Sequence, residues 1–250
     1  RLEHTVALLV NSGEPVCNWY KIPAAVIVTK DKNMLQWADI VIIGSPHSIY
    51  LARGLKPTQK VFIFLQMIEH LFKPDDSKFY QKCLDTYTSP YPLICISKWN
   101  AEMLRRQFGR TGKIYYIGNG INLNDFPVEQ CKKDGKTILV EGWECNNPTK
   151  DTEHIAPRVA KKLKEQGYTI LAYGQKRLTT MADVPHEYYQ QPSLDQLNEL
   201  YRRATILLKA SKYDARSTAP IEAMTKGTPT VRAIIRGDDD LIGSYNCARV

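Results

Sequence analysis

Asp214-Ala215-Arg216-Ser217-Thr218-Ala219-Pro220-Ile221-Glu222-Ala223-Met224-Thr225-Lys226-Gly227-Thr228-Pro229-Thr230-Val231 is the stretch on which the reading of the fold turns. It follows the apolar run Thr205–Leu208, which has strand length, and it opens as a polar loop. A helix with apolar character then runs to Gly227, and a β-rich segment follows. The order is strand, loop, helix, strand, the unit from which parallel sheets are built. Two carboxylates stand eight positions apart, Asp214 in the loop and Glu222 about a turn into the helix, with Ser217 and Thr218 between them. Backbone N–H groups at a helix start lack intrahelical partners and make a ready site for phosphate. One carboxylate can then meet the far end of a long ligand and the other its near end, with a diphosphate in the middle. The same residues also read as an ordinary helix start with a solvated carboxylate on either side. Spacing alone leaves both readings open.

The same alternation extends in both directions. Strands are predicted at Thr5–Val10, Ala24–Val28, Ala38–Gly44, Val61–Leu65, Leu93–Ile96 and Lys113–Ile117, with helices at Asp31–Trp37 and Lys98–Phe108. The unbroken apolar character of Ala38–Gly44 predicts burial on both faces. Residues 127–135 are polar and charged without a core pattern and read as a linker. A second alternating unit follows: strand Thr137–Val140, helix Thr152–Gln166 bent at Pro157, strand Tyr168–Tyr173, helix Ser193–Arg203, strand Thr205–Leu208, helix Ser217–Lys226 and strand Thr230–Ile235. The organisation expected is therefore residues 1–126, a connection at 127–135, and residues 136–250.

With 250 residues, 43% hydrophobic and 24% charged, the chain can bury a sizeable core. No apolar run approaches the length of a transmembrane helix. The six cysteines, Cys17, Cys83, Cys95, Cys131, Cys145 and Cys247, form no Cys-x-x-Cys pair, which favours a reduced, cytoplasmic setting over disulfides or zinc. His4, His47, His154 and His186 lack zinc-ligand spacing. The net charge of +8 favours an anionic partner: a nucleotide, nucleic acid or an anionic surface. That excess is shared evenly between the two halves, so there is no basic arm.

Parallel sheets bind ligands beyond the carboxyl ends of their strands. That rule puts Gly142, Gly174 and the segment Asp214–Thr218 on one rim, with Lys150 in the loop after the first of those strands. Glycines let backbone approach a ligand, an ammonium can neutralise a diphosphate, and a carboxylate such as Glu222 can accept two hydroxyls.

Four segments together resemble one family. Asp214-x7-Glu222 followed by Ala223-Met224-Thr225-Lys226-Gly227-Thr228-Pro229 is similar to the Glu-x7-Glu and Glu-Ala-Met-Ala-x-Gly-x-Pro-Val signature of retaining glycosyltransferases of the GT-B architecture. This is the GT4-like group that includes sucrose- and mannosyl-transferring enzymes. Gly118-Asn119-Gly120-Ile121-Asn122 with Phe126 resembles the family's interdomain Asn-Gly-Ile-Asp-x3-Phe, and Ile96-Ser97-Lys98-Trp99 its Val-Ser-x helix start. Val140-Glu141-Gly142-Trp143 with Lys150 resembles its Gly-Arg-x-Lys-Gly. The matches run in order over roughly residues 39 to 250.

The resemblance implies an α/β fold of two Rossmann-like domains facing across a cleft, in compact form. It implies transfer of a sugar from a nucleotide diphosphate, a UDP- or GDP-sugar, to an acceptor hydroxyl with retention and without a metal. It gives Glu222 the ribose, Asp214 the donor sugar and Lys150 the leaving pyrophosphate. Gly142, Gly174, Ser217 and Thr218 would line the donor site. Where many members place a histidine after the strand matching Val61–Leu65, this chain reads Gln66-Met-Ile-Glu69-His70, so Gln66 and Glu69 are candidates beside the sugar. Other departures are Asp214 for Glu, shorter by one methylene, and Trp143 for an arginine; Arg216 could replace that lost cation with its phosphate-matching fork. Asp238-Asp239-Asp240 contains an Asp-x-Asp, but it follows Gly237 and precedes Leu241-Ile242, as a helix start whose acidic first turn meets the dipole. The acceptor expected is a glycan or lipid-linked glycan. The alternatives are a hydroxymethylated base in DNA, flipped into the cleft as in phage base-modifying glycosyltransferases, and a nucleotide-sugar binding protein without turnover.

Overall fold

The computed structural model describes residues 4–9, 26–142, 152–175, 183–185, 187–211, 213–232 and 247–249. It is an α/β structure whose strands pair in parallel throughout these residues. Strands β1 (Val6–Leu9) and β2 (Val26–Thr29) form a two-stranded ladder. Next comes a four-stranded sheet, β3 (Ile40–Ile43), β4 (Lys60–Leu65), β5 (Leu93–Cys95) and β6 (Ile114–Tyr116), laid down in sequence order. Helix α1 (Ser77–Tyr87) starts at Asp76, whose side chain accepts from the Phe79 N–H. Helix α2 (Lys98–Phe108) starts at Ser97, capping Asn100, and stops at Gly109 in the left-handed conformation that glycine adopts without strain. Val41, Ile43, Ile63, Leu65, Phe79, Cys83, Tyr87, Leu93 and Leu104 form the core here.

The sequence expectation for β3 needs correction. Val41 and Ile43 are buried, but Ile40 is 52% and Ile42 61% exposed. β-branched residues suit a strand whether or not both faces are covered, so the absence of alternation misled. Helix α1 was not foreseen either, nor were the 3₁₀ segments Pro46–Gly54 and Glu69–Phe72. Asp31–Trp37 is a 3₁₀ turn over Lys32–Gln36, capped by Asp31.

The second sheet has six strands: β7 (Thr137–Glu141), β8 (Thr169–Gly174), β9 (Glu187–Gln190), β10 (Ile206–Lys209), β11 (Thr230–Arg232) and β12 (Cys247–Arg249). Their spatial order is β12-β11-β10-β7-β8-β9. The chain starts at the centre with β7, winds outward through β8 and β9, then returns to the other side of β7 with β10. Winding therefore reverses between β7 and β10. Alternate residues of the strands face opposite layers. Ile138, Val140, Ile170, Ala172 and Leu208 pack with Ala156 and Ala160 of α3 (Thr152–Glu165), which runs through Pro157. Leu139, Leu171, Tyr173 and Leu207 pack with Leu200 and Tyr201 of α4 (Leu194–Arg203) and with Ala219 and Ala223 of α5 (Thr218–Met224). Burial on both faces explains why β7 reads as a continuous apolar run.

Residues 127–135 carry no regular secondary structure but are bound closely to the second sheet's helices. Lys133 Nζ donates to the Tyr201 and Arg202 carbonyls at 3.0 and 2.9 Å, satisfying the C-terminal end of α4. Glu129 makes a two-pronged pair with Arg202, at 2.6 and 2.9 Å, and also meets the fully buried Lys226 at 2.9 Å.

Candidate site at the strand-order reversal

In an open parallel sheet the crevice for a ligand lies at the carboxyl ends of the strands, where the winding reverses. In this sheet that point is the end of β7 and β10. Gly142 follows β7, and Gly174 ends β8 beside it, with the Gly142 N–H donating to the Tyr173 carbonyl at 2.8 Å. The glycine at 174 is demanded by the protein itself: a Cβ there would lie 2.6 Å from the Gly142 carbonyl oxygen and 2.8 Å from the Tyr188 hydroxyl. Asp214 lies in the loop after β10, Ser217 is the N-cap of α5, and Thr218 and Glu222 lie on that helix. The structure thus brings Gly142, Gly174, Asp214, Ser217, Thr218 and Glu222 to one rim. Lys150, Trp143 and Asp238–Asp240 lie outside the described residues.

Glu222 is held from below. Its Oε2 accepts from the Tyr201 hydroxyl at 2.8 Å, and the Tyr201 hydroxyl meets that of Tyr173 at 3.0 Å. The Thr218 hydroxyl, one turn back on α5, also bonds the carboxylate. Burial pushes the Glu222 carboxyl above its ordinary range, and the hydrogen bonds from Tyr201 and Thr218 work against that shift. Burial likewise raises both tyrosines well above 10. Beside them Lys209, the last residue of β10, ion-pairs with Glu141, the last of β7, and lies 3.5 Å from Asp214 Oδ2. Among the described residues, the carboxylates of Glu141, Asp214 and Glu222 thus lie together with the Lys209 ammonium and two phenols, and the buried Arg232 of β11 stands in register beside Lys209. These carboxylates fit a ligand rich in hydroxyl donors.

Glu141, Lys209, Tyr173 and Tyr201 were not among the sequence candidates. One signal was available for the first two: each is a charged residue directly ending an apolar run of strand length, at the rim where ligands bind.

The remaining candidates come from the first sheet. Gln66, exposed, directly follows β4, and its neighbour Met67 packs with Ile96 and Ala215. That contact brings the Gln66 loop against the loop carrying Asp214. Arg216 lies in the same junction. Its Nη1 donates to the Tyr116 hydroxyl at 3.1 Å and its Nε to the Asn119 carbonyl at 3.3 Å, and the Asn119 side chain returns a bond to the Arg216 carbonyl at 3.0 Å. A Cβ on Gly118 would lie 2.9 Å from that guanidinium. Arg216 therefore ties the Asn119 segment to the rim. Glu69 is placed otherwise. Its Oε2 is buried with no hydrogen-bond partner among the described residues, and the carboxyl lies near Cys83 and Tyr87 of α1 in the first core.

Against solved structures, the chain matches TarM of S. aureus at 16% identity and a TM-score of 0.69, over 87% of this chain and 46% of that one. A glycosyltransferase from Rickettsia africae matches at 16% identity and a TM-score of 0.61, over 85% and 62%. HepE from Anabaena, solved in complex with UDP-glucose, matches at 12% and 0.65, over 88% and 66%. The chain shares the fold of solved glycosyltransferases. It spans about half to two thirds of the length of these structures. Neither a protein-family model nor a curated protein sequence matches it.

Proposed function

We propose that the chain is a glycosyltransferase of the GT-B, GT4-like kind, moving a sugar from a nucleotide diphosphate to an acceptor hydroxyl with retention of configuration. The observation that carries this is the meeting of Asp214 and Glu222 at the strand-order reversal. A nucleotide sugar presents hydroxyls at both ends, on its ribose and on its sugar, and a diphosphate between. Glu222, oriented by Tyr201 and Thr218, is read as the ribose acceptor, and Asp214 as the contact to the donor sugar. The complex of HepE with UDP-glucose favours the same ligand class.

In the reaction, the bond between the anomeric carbon and the diphosphate oxygen breaks, the acceptor oxygen takes its place, and the acceptor's proton passes to the departing diphosphate. The chemistry depends on stabilising the departing diphosphate. Lys150 and the backbone amides around Ser217 and Thr218 are assigned that task, with Arg216 as a further cation, and no metal is invoked. The donor is assigned to residues 136–250 and the acceptor, a glycan or lipid-linked glycan, to residues 1–126, with Gln66 between them. Closure of the two across a cleft would exclude water and limit donor hydrolysis.

The test is calorimetry and donor hydrolysis with a panel of UDP- and GDP-sugars, followed by transfer to glycan, lipid-linked and hydroxymethylated DNA acceptors. Binding of one nucleotide sugar with transfer to a glycan or lipid is expected, with the product anomer matching the donor. Transfer to modified DNA alone would move the acceptor assignment to the base-modifying alternative. Binding without turnover on any acceptor would leave a binding protein, and no binding at all would refute the reading.

A further inference from the structure

The ion pair at the strand-order reversal is not needed to close the sheet. The register pairs Leu208 of β10 with Val140 of β7, so Lys209 and Glu141 are the next step along the same two strands. One step inward the pair is apolar and fully at home in the core. At the rim it becomes an ammonium paired with a carboxylate, the Lys209 side chain 3% exposed and that of Glu141 13%. Burying such a pair costs desolvation, and apolar side chains of similar volume generally serve packing as well or better. What the charge adds is its second contact. Lys209 Nζ lies 3.5 Å from Asp214 Oδ2, and the Asp214 side chain is also 13% exposed. The loop bearing Asp214 is pinned on its other side, through Ala215 on Met67 and Ile96 and through Arg216 on Tyr116 and Asn119. Lys209 and that junction both hold the loop.

We propose that Lys209, anchored by Glu141, is a positioning residue that fixes the Asp214 carboxylate in the geometry in which it meets a hydroxyl of the transferred sugar. This rests on the nucleotide-sugar reading above. A carboxylate has about four lone-pair sites, so a cation on one oxygen orients the group without using up its capacity to accept. Glu141 keeps the ammonium at the strand end, so that Asp214 is drawn to a fixed point.

The test compares Lys209→Met, the double variant Glu141→Leu with Lys209→Met, and the wild-type chain. Lys209→Met alone removes the ammonium that pairs with two nearly buried carboxylates, and its thermal midpoint is expected to fall. The double variant also removes the Glu141 carboxylate, leaving only that of Asp214, and is expected to recover part of the lost midpoint. Its kcat with the best donor of the panel is expected to stay ~10- to 100-fold below wild type, the range of a lost charge-assisted hydrogen bond. Its donor KM should move less, because Glu222 and its partners are untouched. A double variant as stable and as active as wild type would show the pair to be a sheet contact only and would overturn the proposal. If the double variant does not fold, Lys209→Met with Glu141→Gln makes the same comparison, and wild-type kcat there overturns the proposal equally. A wild-type chain that binds no nucleotide sugar in calorimetry overturns the nucleotide-sugar reading, and the proposal with it. Calorimetry on the wild type therefore tells the two failures apart.

Discussion

The Tyr201 hydroxyl donates to Glu222 Oε2 at 2.8 Å while meeting the Tyr173 hydroxyl at 3.0 Å. Tyr201 belongs to α4 and Glu222 to α5, so this bond, together with that from Thr218, orients the carboxylate against the neighbouring helix. Tyr201 is fully buried, and no water can replace its hydroxyl without repacking.

Tyr201→Phe is therefore expected to cost more than an exposed hydroxyl would. It leaves Glu222 and Tyr173 each short of a partner in a buried place, a penalty of about 1–3 kcal/mol. Urea unfolding should show that loss, and calorimetry should show weaker nucleotide-sugar binding. Unchanged stability would mean that the Tyr201–Glu222 bond does not form in solution.

Glu222→Gln should weaken nucleotide-sugar binding by about ten- to a hundredfold, the worth of a charge-assisted hydrogen bond. The amide puts a donor where a ribose hydroxyl needs an acceptor. Calorimetry at neutral pH checks it, and wild-type affinity in a folded variant would remove Glu222 from the ribose.

Gly174→Ala tests the close approach of β8 to the segment after β7. Its Cβ would lie 2.6 Å from a backbone oxygen of Gly142, which cannot rotate away as a flexible side chain could. Overpacking of this kind costs about 1–3 kcal/mol. A thermal midpoint unchanged from wild type would show that the two strand ends are further apart than described. Gly54→Ala, where none of the described residues lies within 4 Å of the added atom, is the control.

Four strands of the second sheet, β7, β8, β10 and β11, were legible because they are short apolar runs separated by amphipathic helices, and the capping box at Ser193 and Gln196 marks one of those helices, whereas β9 and β12, Glu-Tyr-Tyr-Gln and Cys-Ala-Arg, carry no such run and were not expected. Helix α1 was not, although Phe79, Cys83 and Tyr87 fall on one face at intervals of four. Its aromatic residues and Thr86 weaken the helical pattern in the sequence. The rim followed from the rule of strand ends, which needs only the order of elements. The partners of the rim did not. Lys209 meets Glu141 across 68 positions and Arg216 meets Asn119 across 97. Such contacts depend on strand order, and a single sequence does not state which strands become neighbours. Glu69 shows the converse: it follows the right strand, yet local 3₁₀ geometry takes its carboxyl into the core.

Acid should loosen the connection between the sheets. Hydrogen bonds from Arg202 and then Lys226 hold the Glu129 carboxyl down at about 2, below its unfolded value of 4.5. A depressed carboxyl contributes stability that is present above the unfolded value and is lost as pH falls toward the folded one. Glu129→Gln should lower the thermal midpoint at pH 7 and flatten its fall between about pH 4.5 and 2. A variant whose midpoint runs parallel to wild type across that window would show that Glu129 is not the group titrating.

Glu69 is predicted to act with the opposite sign. Burial alone raises its carboxyl from 4.5 to about 8, and among the described residues its Oε2 has no hydrogen-bond partner. The folded protein therefore favours the protonated acid, while the unfolded chain ionises near 4.5. Between those values the folded state binds more protons than the unfolded one, so stability is lost as pH rises from about 4.5 to 8. Glu69→Gln has the shape of the protonated acid and cannot ionise. At pH 4.5 it should match wild type. By pH 8 it should be more stable, by an amount on the order of a few kcal/mol, since a tenfold change in proton affinity corresponds to about 1.4 kcal/mol and solvent screening reduces the total. Paired urea titrations at pH 4.5, 6 and 8 measure this directly. A gap between the two proteins that stays constant with pH would place the Glu69 carboxylate in contact with water or a cation, at the mouth of the junction beside Gln66, and would restore it as a candidate at the donor sugar.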